Sequence, residues 1–388
     1  MSTWITIKEA AGTLGVKPQT VYAYVSRGKL EVMPDPDGSR RKLYRAEDVA
    51  RLARRKQAGR AYETLASNTL FGAEPSIPTS LTTFARGRLY YRGQDAVNLS
   101  ASKSLEEVAR LVWNADEPVA FSCLRSIRPR KPGRLAALTD LARLSATGHS
   151  THGRVSRVLR SESQTLVGQL ANAFGAQPGS EPLHVRFASG WQQSFKVAEL
   201  LRMVLVLLVD HELTSSAFAT RIAASAGASL PACLSAGLAT LSGPLHGDAS
   251  GRVSALFSEV MRRGEDEVLS HYLSTGLPLA GFGHHLYPDG DPRAAALLER
   301  FKPPKVIARF IDKVGAATGQ QPNIDVALAA LVAHLRLPPD AAFGLFATAR
   351  SIGLLAHAME QLSVQQVIRP RGRYVGPAPQ EVLRVPPR

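Results

Sequence analysis

Three short stretches, Gly243-Pro244-Leu245-His246-Gly247, Gly281-Phe282-Gly283-His284 and Asp291-Pro292-Arg293, lie close together in the chain. Each histidine stands among glycines, whose missing side chain lets backbone come close to a ligand. Asn323-Ile324-Asp325 follows, with a lone carboxylate in an apolar setting. Two histidines and an aspartate that converge can take a proton from carbon next to a carbonyl. Histidine near a helix N-terminus, favoured in its neutral form, can donate to the developing oxyanion.

Outward from this stretch the apolar spacing is almost wholly helical. It predicts helices over 133–145, 155–175, 196–210, 215–227, 230–241, 250–264, 265–275, 293–301, 304–317, 324–335 and 341–362. Leu89-Tyr90-Tyr91-Arg92-Gly93 reads as a short strand ending in a glycine turn, and Ser104 with Glu107 as a capping box opening a helix through Trp113. The mixed Gly/Pro stretch 172–191 reads as a loop. The basic run 125–134 is either a solvated loop or a contact to phosphate. The fold is therefore mainly α, with one or two short hairpins near its start.

Several further side chains are candidates. His211 ends an apolar helix within Asp210-His211-Glu212; Ser215 stands where a zinc HExxH motif needs its second histidine, and a lone histidine there is usually structural. His284 and His285 are adjacent, but neighbouring residues rarely ligate one ion together, so no metal site is expected. Arg293 opens a helix. Arg350 lies on an apolar helix, where its charge calls for an anionic partner. With Arg369, these arginines suit a substrate bearing two carboxylates.

The first sixth of the chain differs in kind. Residues 1–60 hold 13 Lys/Arg against 6 Asp/Glu, so +7 of the net +15 lies there. Thr6 and Glu9 form a capping box, Gly15 breaks the helix, and Pro18 opens a second one with Val21 and Val25 inward. A turn at 35–38, a returning strand over 39–44 and a helix over 46–55 complete a small winged helix-turn-helix of the MerR and excisionase type over residues 1–58. Gln19, Thr20 and Tyr22 are candidates for base edges, and Arg27, Arg40, Arg41 and Lys42 for phosphates. The plainer alternative is a basic solvated face or a module for protein contacts. Residues 59–79 read as a linker.

Composition sets bounds on the rest. Hydrophobic residues at 45% and charged residues at 20% are ordinary for a globular protein, and the 388 residues predict two or three domains. Two distant cysteines, Cys123 and Cys233, exclude a disulfide framework and suit the cytoplasm. The N-terminus lacks a signal pattern, and the run 203–209 is too short to span a membrane. The positive balance points to polyanionic partners, either nucleic acid or a phosphorylated cofactor.

Together these residues resemble the citrate synthase family from about residue 65 onward. The signatures, in order, are Tyr91-Arg92-Gly93, Asp210-His211-Glu212, 243–247, 281–284, 291–293, 323–325, Ala349-Arg350 with Gly353, and Arg369-Pro370-Arg371. The resemblance implies large and small helical domains, the small one over roughly 250–345 of a domain spanning 80–388, and a homodimer with its site in the cleft. It implies condensation of acetyl-CoA with oxaloacetate and then thioester hydrolysis, with acetyl-CoA as co-substrate and no permanently bound cofactor. Asp325 matches the base, His246 the residue that stabilises the enol, and His284 the one that polarises the ketone. His211, Arg293 and Arg350 match oxo-acid ligands, and Arg369 one donated by the neighbouring subunit.

The chain departs from the family pattern at Asp248, His285, Pro288 and Asp289, where glycine, arginine and a basic side chain are usual and where added acid opposes a polyphosphate. Two readings therefore compete: a citrate or 2-methylcitrate synthase-like enzyme with an attached DNA-binding module, and a transcriptional regulator whose synthase-like body senses metabolites and dimerises. A related lyase, or condensation with a different oxo acid, is the third.

Overall fold

The computed structural model describes residues 4–26, 29–35, 41–50, 52–53, 76–123 and 131–369. Contacts divide the chain into two compact units, residues 1–78 and 79–388. Most of the expected linker lies outside the described residues.

In the first unit, the Thr6–Glu9 capping box is present and opens α1 (Ile7–Leu14), and Gly15 closes it in the left-handed conformation at φ 58°. α2 (Pro18–Ser26) follows. Strands β1 (Trp4–Ile5), β2 (Val32–Pro34) and β3 (Lys42–Arg45) form an antiparallel sheet with β3 central, and α3 covers 46–50. Ala10, Leu14, Val21, Leu30, Tyr44 and Val49 make a separate small core, with Val25 and Tyr24 partly buried against it.

The second unit begins with the sheet β4 (Thr82–Ala85), β5 (Arg88–Tyr91) and β6 (Gln94–Asp95). Then come α4 (Ala96–Ser102), α5 (Leu105–Val112), α6 (Arg134–Thr147), α7 (Ser156–Ala173), α8 (Leu183–Gly190), α9 (Phe195–Leu207), α10 (Ser215–Ser225) and α11 (Leu230–Leu241). α12 (Ala249–Arg263), α13 (Glu265–Thr275), α14 (Pro292–Leu298), α15 (Lys305–Thr318), α16 (Ile324–Leu335) and α17 (Ala341–Val364) complete it. The mainly α expectation matches this architecture.

α10, α11, α9 and α7 pack around α17, whereas α12 to α16 pack chiefly among themselves. The second group meets the first through α12 and α16 on α17, and through α14 on α4 and α9. α17 is long and apolar enough to cross a membrane, but 94% of its apolar window is buried within the fold. It is the axis of the core, with residues 341–358 buried on every face.

Two local expectations need correction. Residues 172–191 are not one loop, because α8 occupies 183–190 after Pro182 as its N-cap. Gly190 there is a packing residue: a Cβ would fall 1.8 Å from the Gly175 carbonyl oxygen. α4 was also not expected, although Asp95 caps it through the Asn98 N–H at 2.9 Å. The run 125–134 lies largely outside the described residues; of it, 131–134 lead into α6.

Candidate functional site

The signature loops lock each other in place. Gly281 and Gly283 adopt positive φ, 83° and 75°. A Cβ on Gly281 would meet Val253 Cγ2 at 2.6 Å and Val326 Cγ2 at 2.7 Å, so only glycine lets the loop pass between α12 and α16. The Gly283 N–H donates to the Gln321 carbonyl at 2.8 Å, and the Asn323 N–H to the Gly281 carbonyl at 2.9 Å. Asn323 then caps α16 by accepting from the Asp325 N–H at 2.9 Å.

Asp291 joins this to α14. It caps that helix, accepts from the Ile324 N–H at 3.1 Å, and takes two hydrogen bonds from the Arg293 guanidinium at 3.0 and 2.8 Å. Burial works against the charge of Arg293, but Asp291 outweighs it and raises the Arg293 pKa. Arg293 therefore enters the site as half of an ion pair, with Nη1 outside it, and its guanidinium carbon lies 5.2 Å from the centroid of the Tyr287 ring.

Asp325 sits in the first turn of α16. The residue keeps some exposed surface, yet Oδ1 is out of contact with solvent and has no hydrogen-bond partner among the described residues. Burial pushes its pKa up to about 7; Asp291 adds to the rise, and Arg293 and Arg350 oppose it. The result is a desolvated carboxyl poised between acid and base at neutral pH.

Burial holds three histidines below the usual imidazole pKa. The Leu286 N–H donates to His284 Nδ1 at 3.2 Å, which leaves the ring proton on Nε2. Burial, helped by Arg293, drops the His284 pKa to about 4. His285 stacks on His284 at 4.9 Å and is itself exposed. The His211 ring lies 5.3 Å from that of His284, and its Nε2 shares a 3.2 Å hydrogen bond with the Tyr287 hydroxyl. Burial and the two arginines hold its pKa well below the usual histidine value. Phe84 closes edge-on against His211 at 4.9 Å.

His246 shares a 2.8 Å hydrogen bond between Nε2 and the Ser216 Oγ. Its pKa also falls to about 4, from burial first and the Arg350 charge second. The neutral form was expected from a helix terminus; burial is the larger cause. Arg350 is buried, donates from Nε to the Leu208 carbonyl at 3.1 Å and stacks on Phe346 at 4.8 Å. The anionic partner expected for it is not within ion-pairing distance among the described residues, and burial lowers its pKa.

A polar chain supports the turn that carries His211. Asp210 accepts a hydrogen bond from the Thr82 hydroxyl and lies 3.4 Å from His357, whose Nδ1 accepts from Arg221 at 3.0 Å. Arg221 continues to Glu360, which also binds Ser80 at 2.8 Å. Burial opposes the Asp210 charge, but His357, Arg350 and Thr82 hold its pKa below the carboxylate norm.

The fold thus gathers His211, His284, Arg293, Arg350 and Asp325 around one electrostatic centre, with His246 facing Arg350. Arg369 is exposed near the end of the described chain and is not brought to these residues. Tyr287, Asp291 and Ser216 had no assigned role in the sequence. The first two lie inside quoted or adjacent signatures; Ser216 carries no local signal. In the N-terminal unit Gln19, Tyr22, Arg41 and Lys42 are exposed and Thr20 is half-buried, while Arg27 and Arg40 lie outside the described residues.

Among known proteins, residues 134–371 match the model of the citrate synthase C-terminal domain, and residues 4–57 match a helix-turn-helix domain. The chain is 26% identical to citrate synthase 2 of Bacillus subtilis over 368 residues, covering 81% of this chain and 98% of that protein. It is 27% identical to the 2-methylcitrate synthase of Shewanella oneidensis over 345 residues, 76% of this chain and 91% of that one. The fold is that of citrate synthase from Thermotoga maritima, with a TM-score of 0.66 at 24% identity over 82% of this chain and 98% of that one. It is also that of the Thermoplasma acidophilum enzyme in a ternary complex with carboxymethyl coenzyme A and oxaloacetate, TM-score 0.66 at 22% identity over 80% and 97%. With more than half its length matched by the family model, the chain belongs to the citrate synthase family, and carries a helix-turn-helix domain ahead of it.

Proposed function

We propose that the chain condenses acetyl-CoA, or another short acyl-CoA, with oxaloacetate, and with one water gives citrate (or its alkyl homologue) and free CoA. The observation that carries this reading is Asp325: a desolvated carboxyl with a pKa near 7 and an unpartnered Oδ1, within reach of the charges of Arg293 and Arg350. A methyl group beside a thioester is a very weak acid, so the base works only where the enolate oxygen is stabilised as charge develops. Asp325 takes the proton. His246 donates to the thioester oxygen, and His284 donates from Nε2 to the ketone oxygen. The new carbon–carbon bond forms between them, and water then cleaves the thioester. His211, Arg293 and Arg350 hold the carboxylates of the oxo acid, and Arg369 of a second subunit completes the site in a homodimer.

Free-thiol release from acetyl-CoA with oxaloacetate tests the reading, with Asp325→Ala as control. Turnover that requires Asp325 supports it; none with acetyl- or propionyl-CoA sinks it.

A second reading rests on the N-terminal module. Gln19 and Tyr22 are exposed on α2, and Arg41 and Lys42 are exposed at the start of β3; exposed polar and basic groups on a helix and a wing are what DNA recognition of this kind requires. In that reading the chain binds DNA and its synthase-like body senses a metabolite. A gel shift with DNA upstream of its own operon, comparing the chain with an Arg40→Ala, Arg41→Ala variant, decides it: no low-salt shift, or one unchanged by the variant, rejects the wing as a DNA reader.

A further inference from the structure

In the second unit the chain crosses between its two helix groups at 242–248, before α12, and at 336–340, before α17. One residue grips both crossings. Arg134, the first residue of α6, donates from Nη1 to Asp248 Oδ2 at 3.1 Å and from Nη2 to Asp248 Oδ1 at 2.6 Å. Its backbone N–H donates to Asp340 Oδ2 at 2.9 Å. Its guanidinium carbon sits 4.0 Å from the centroid of the Phe343 ring, in the first turn of α17. Gly133 gives the approach its room, since a Cβ there would lie 2.5 Å from Asp340 Oδ2.

Asp248 is built into the turn that carries His246. Its N–H donates to the Gly243 carbonyl at 3.3 Å, and its carbonyl accepts from Gly251 at 3.1 Å and Arg252 at 3.3 Å. Asp340 directly precedes α17, the helix that carries Arg350, whose charge reaches His246. The acidic side chain at 248 is thus neutralised across the boundary between the helix groups, by the last member of the basic run. The pair retains 30% and 25% of its side-chain surface, so it is open to screening and can be broken without burying a bare charge.

We propose that Arg134 is a positioning residue: with its guanidinium on Asp248 and Phe343 and its backbone N–H on Asp340, it straps both chain crossings and sets the placement of the His246 turn against α17. Its catalytic meaning rests on the condensing reading above; the strap itself does not. Substituting the Arg134 side chain leaves Asp248 without its cation and the Phe343 ring without its guanidinium, while the backbone N–H of residue 134 still reaches Asp340.

Hydrogen–deuterium exchange on the full chain, with no substrate added, reads the strap directly. Arg134→Gln is expected to speed amide exchange in 243–252 roughly two- to fivefold, the scale of one partly exposed ion pair, with a smaller increase over 341–345. Asp248→Asn should act on 243–252 alone, and the exchanged pair R134D/D248R should return that segment toward the parent rate. Unchanged exchange over 243–252 in R134Q, or an exchanged pair as fast as R134Q, overturns the proposal. Thiol release then reads the consequence: R134Q should lower kcat roughly tenfold and hold KM for the oxo acid within about twofold, as expected when a transition-state contact is displaced. A raised KM with unchanged kcat overturns the positioning role. A parent chain without turnover rejects the condensing reading, while the exchange data still decide the strap.

Discussion

The pKa of Asp325 makes a quantitative demand on activity and on stability. Burial moves it from 3.8 to about 7, which corresponds to about 4 kcal/mol against the charged form. If Asp325 is the base, kcat/KM measured by thiol release should rise about tenfold per pH unit below 7 and level above it. His246 and His284, with pKa values of about 4, are already neutral across that range and add no limb above pH 5. Asp325→Asn should remove the limb together with roughly 10²–10⁴ of the rate. The stability effect has the opposite sense from that of a salt-bridged aspartate. Between pH 4 and 7 the unfolded chain gives up this proton and the folded chain keeps it, so stability falls as pH rises through the window, by up to about 4 kcal/mol. Asn cannot ionise, so the melting temperature of the variant relative to the parent should climb from pH 4 to pH 8. A limb that survives in Asp325→Asn, or a variant that loses ground as pH rises, refutes the assignment.

Further outcomes are equally direct. Arg350→Met keeps apolar volume but removes the cation; KM for the oxo acid should rise at least about tenfold, the scale of a lost charged hydrogen bond, while the melting temperature changes little, because a buried charge is costly to hold. Gly353→Ala would put a Cβ 2.3 Å from Asp210 Oδ1 and 2.6 Å from the Val209 carbonyl oxygen; urea unfolding should show a loss of about 1–3 kcal/mol. If the N-terminal module binds DNA, Lys42→Ala should weaken binding to all sequences alike and reduce the slope of log affinity against log salt by about 1, whereas Gln19→Ala should change the preferred sequence.

What could be read from the sequence follows the range of the interactions. The helices 230–241, 265–275 and 324–335 match their expected bounds because the 3.6-residue spacing of apolar side chains and the caps are local. Both capping boxes, Thr6–Glu9 and Ser104–Glu107, are present for the same reason. α8 escaped because its Gly/Pro content resembles a loop, while Gly190 is selected by a neighbour fifteen positions earlier in the chain. In the site, the histidines and Asp325 were visible as types in a pattern. Their partners were not: Ser216 meets His246 across 30 positions and Arg134 meets Asp248 across 114. Asp248, which read as a charge hostile to a polyphosphate, is half of an ion pair for that reason.

α17 also has a consequence for how the molecule is made. The helix around which α7, α9, α10 and α11 assemble leaves the ribosome after all four of them. At synthesis rates of roughly 5–20 residues per second, the apolar faces of those helices emerge well before the element that covers them. The helix-turn-helix unit, with its own small core, can be finished long before that moment. Those faces therefore stay uncovered until α17 emerges, and a chain cut short of α17 presents an exposed interior rather than a smaller protein.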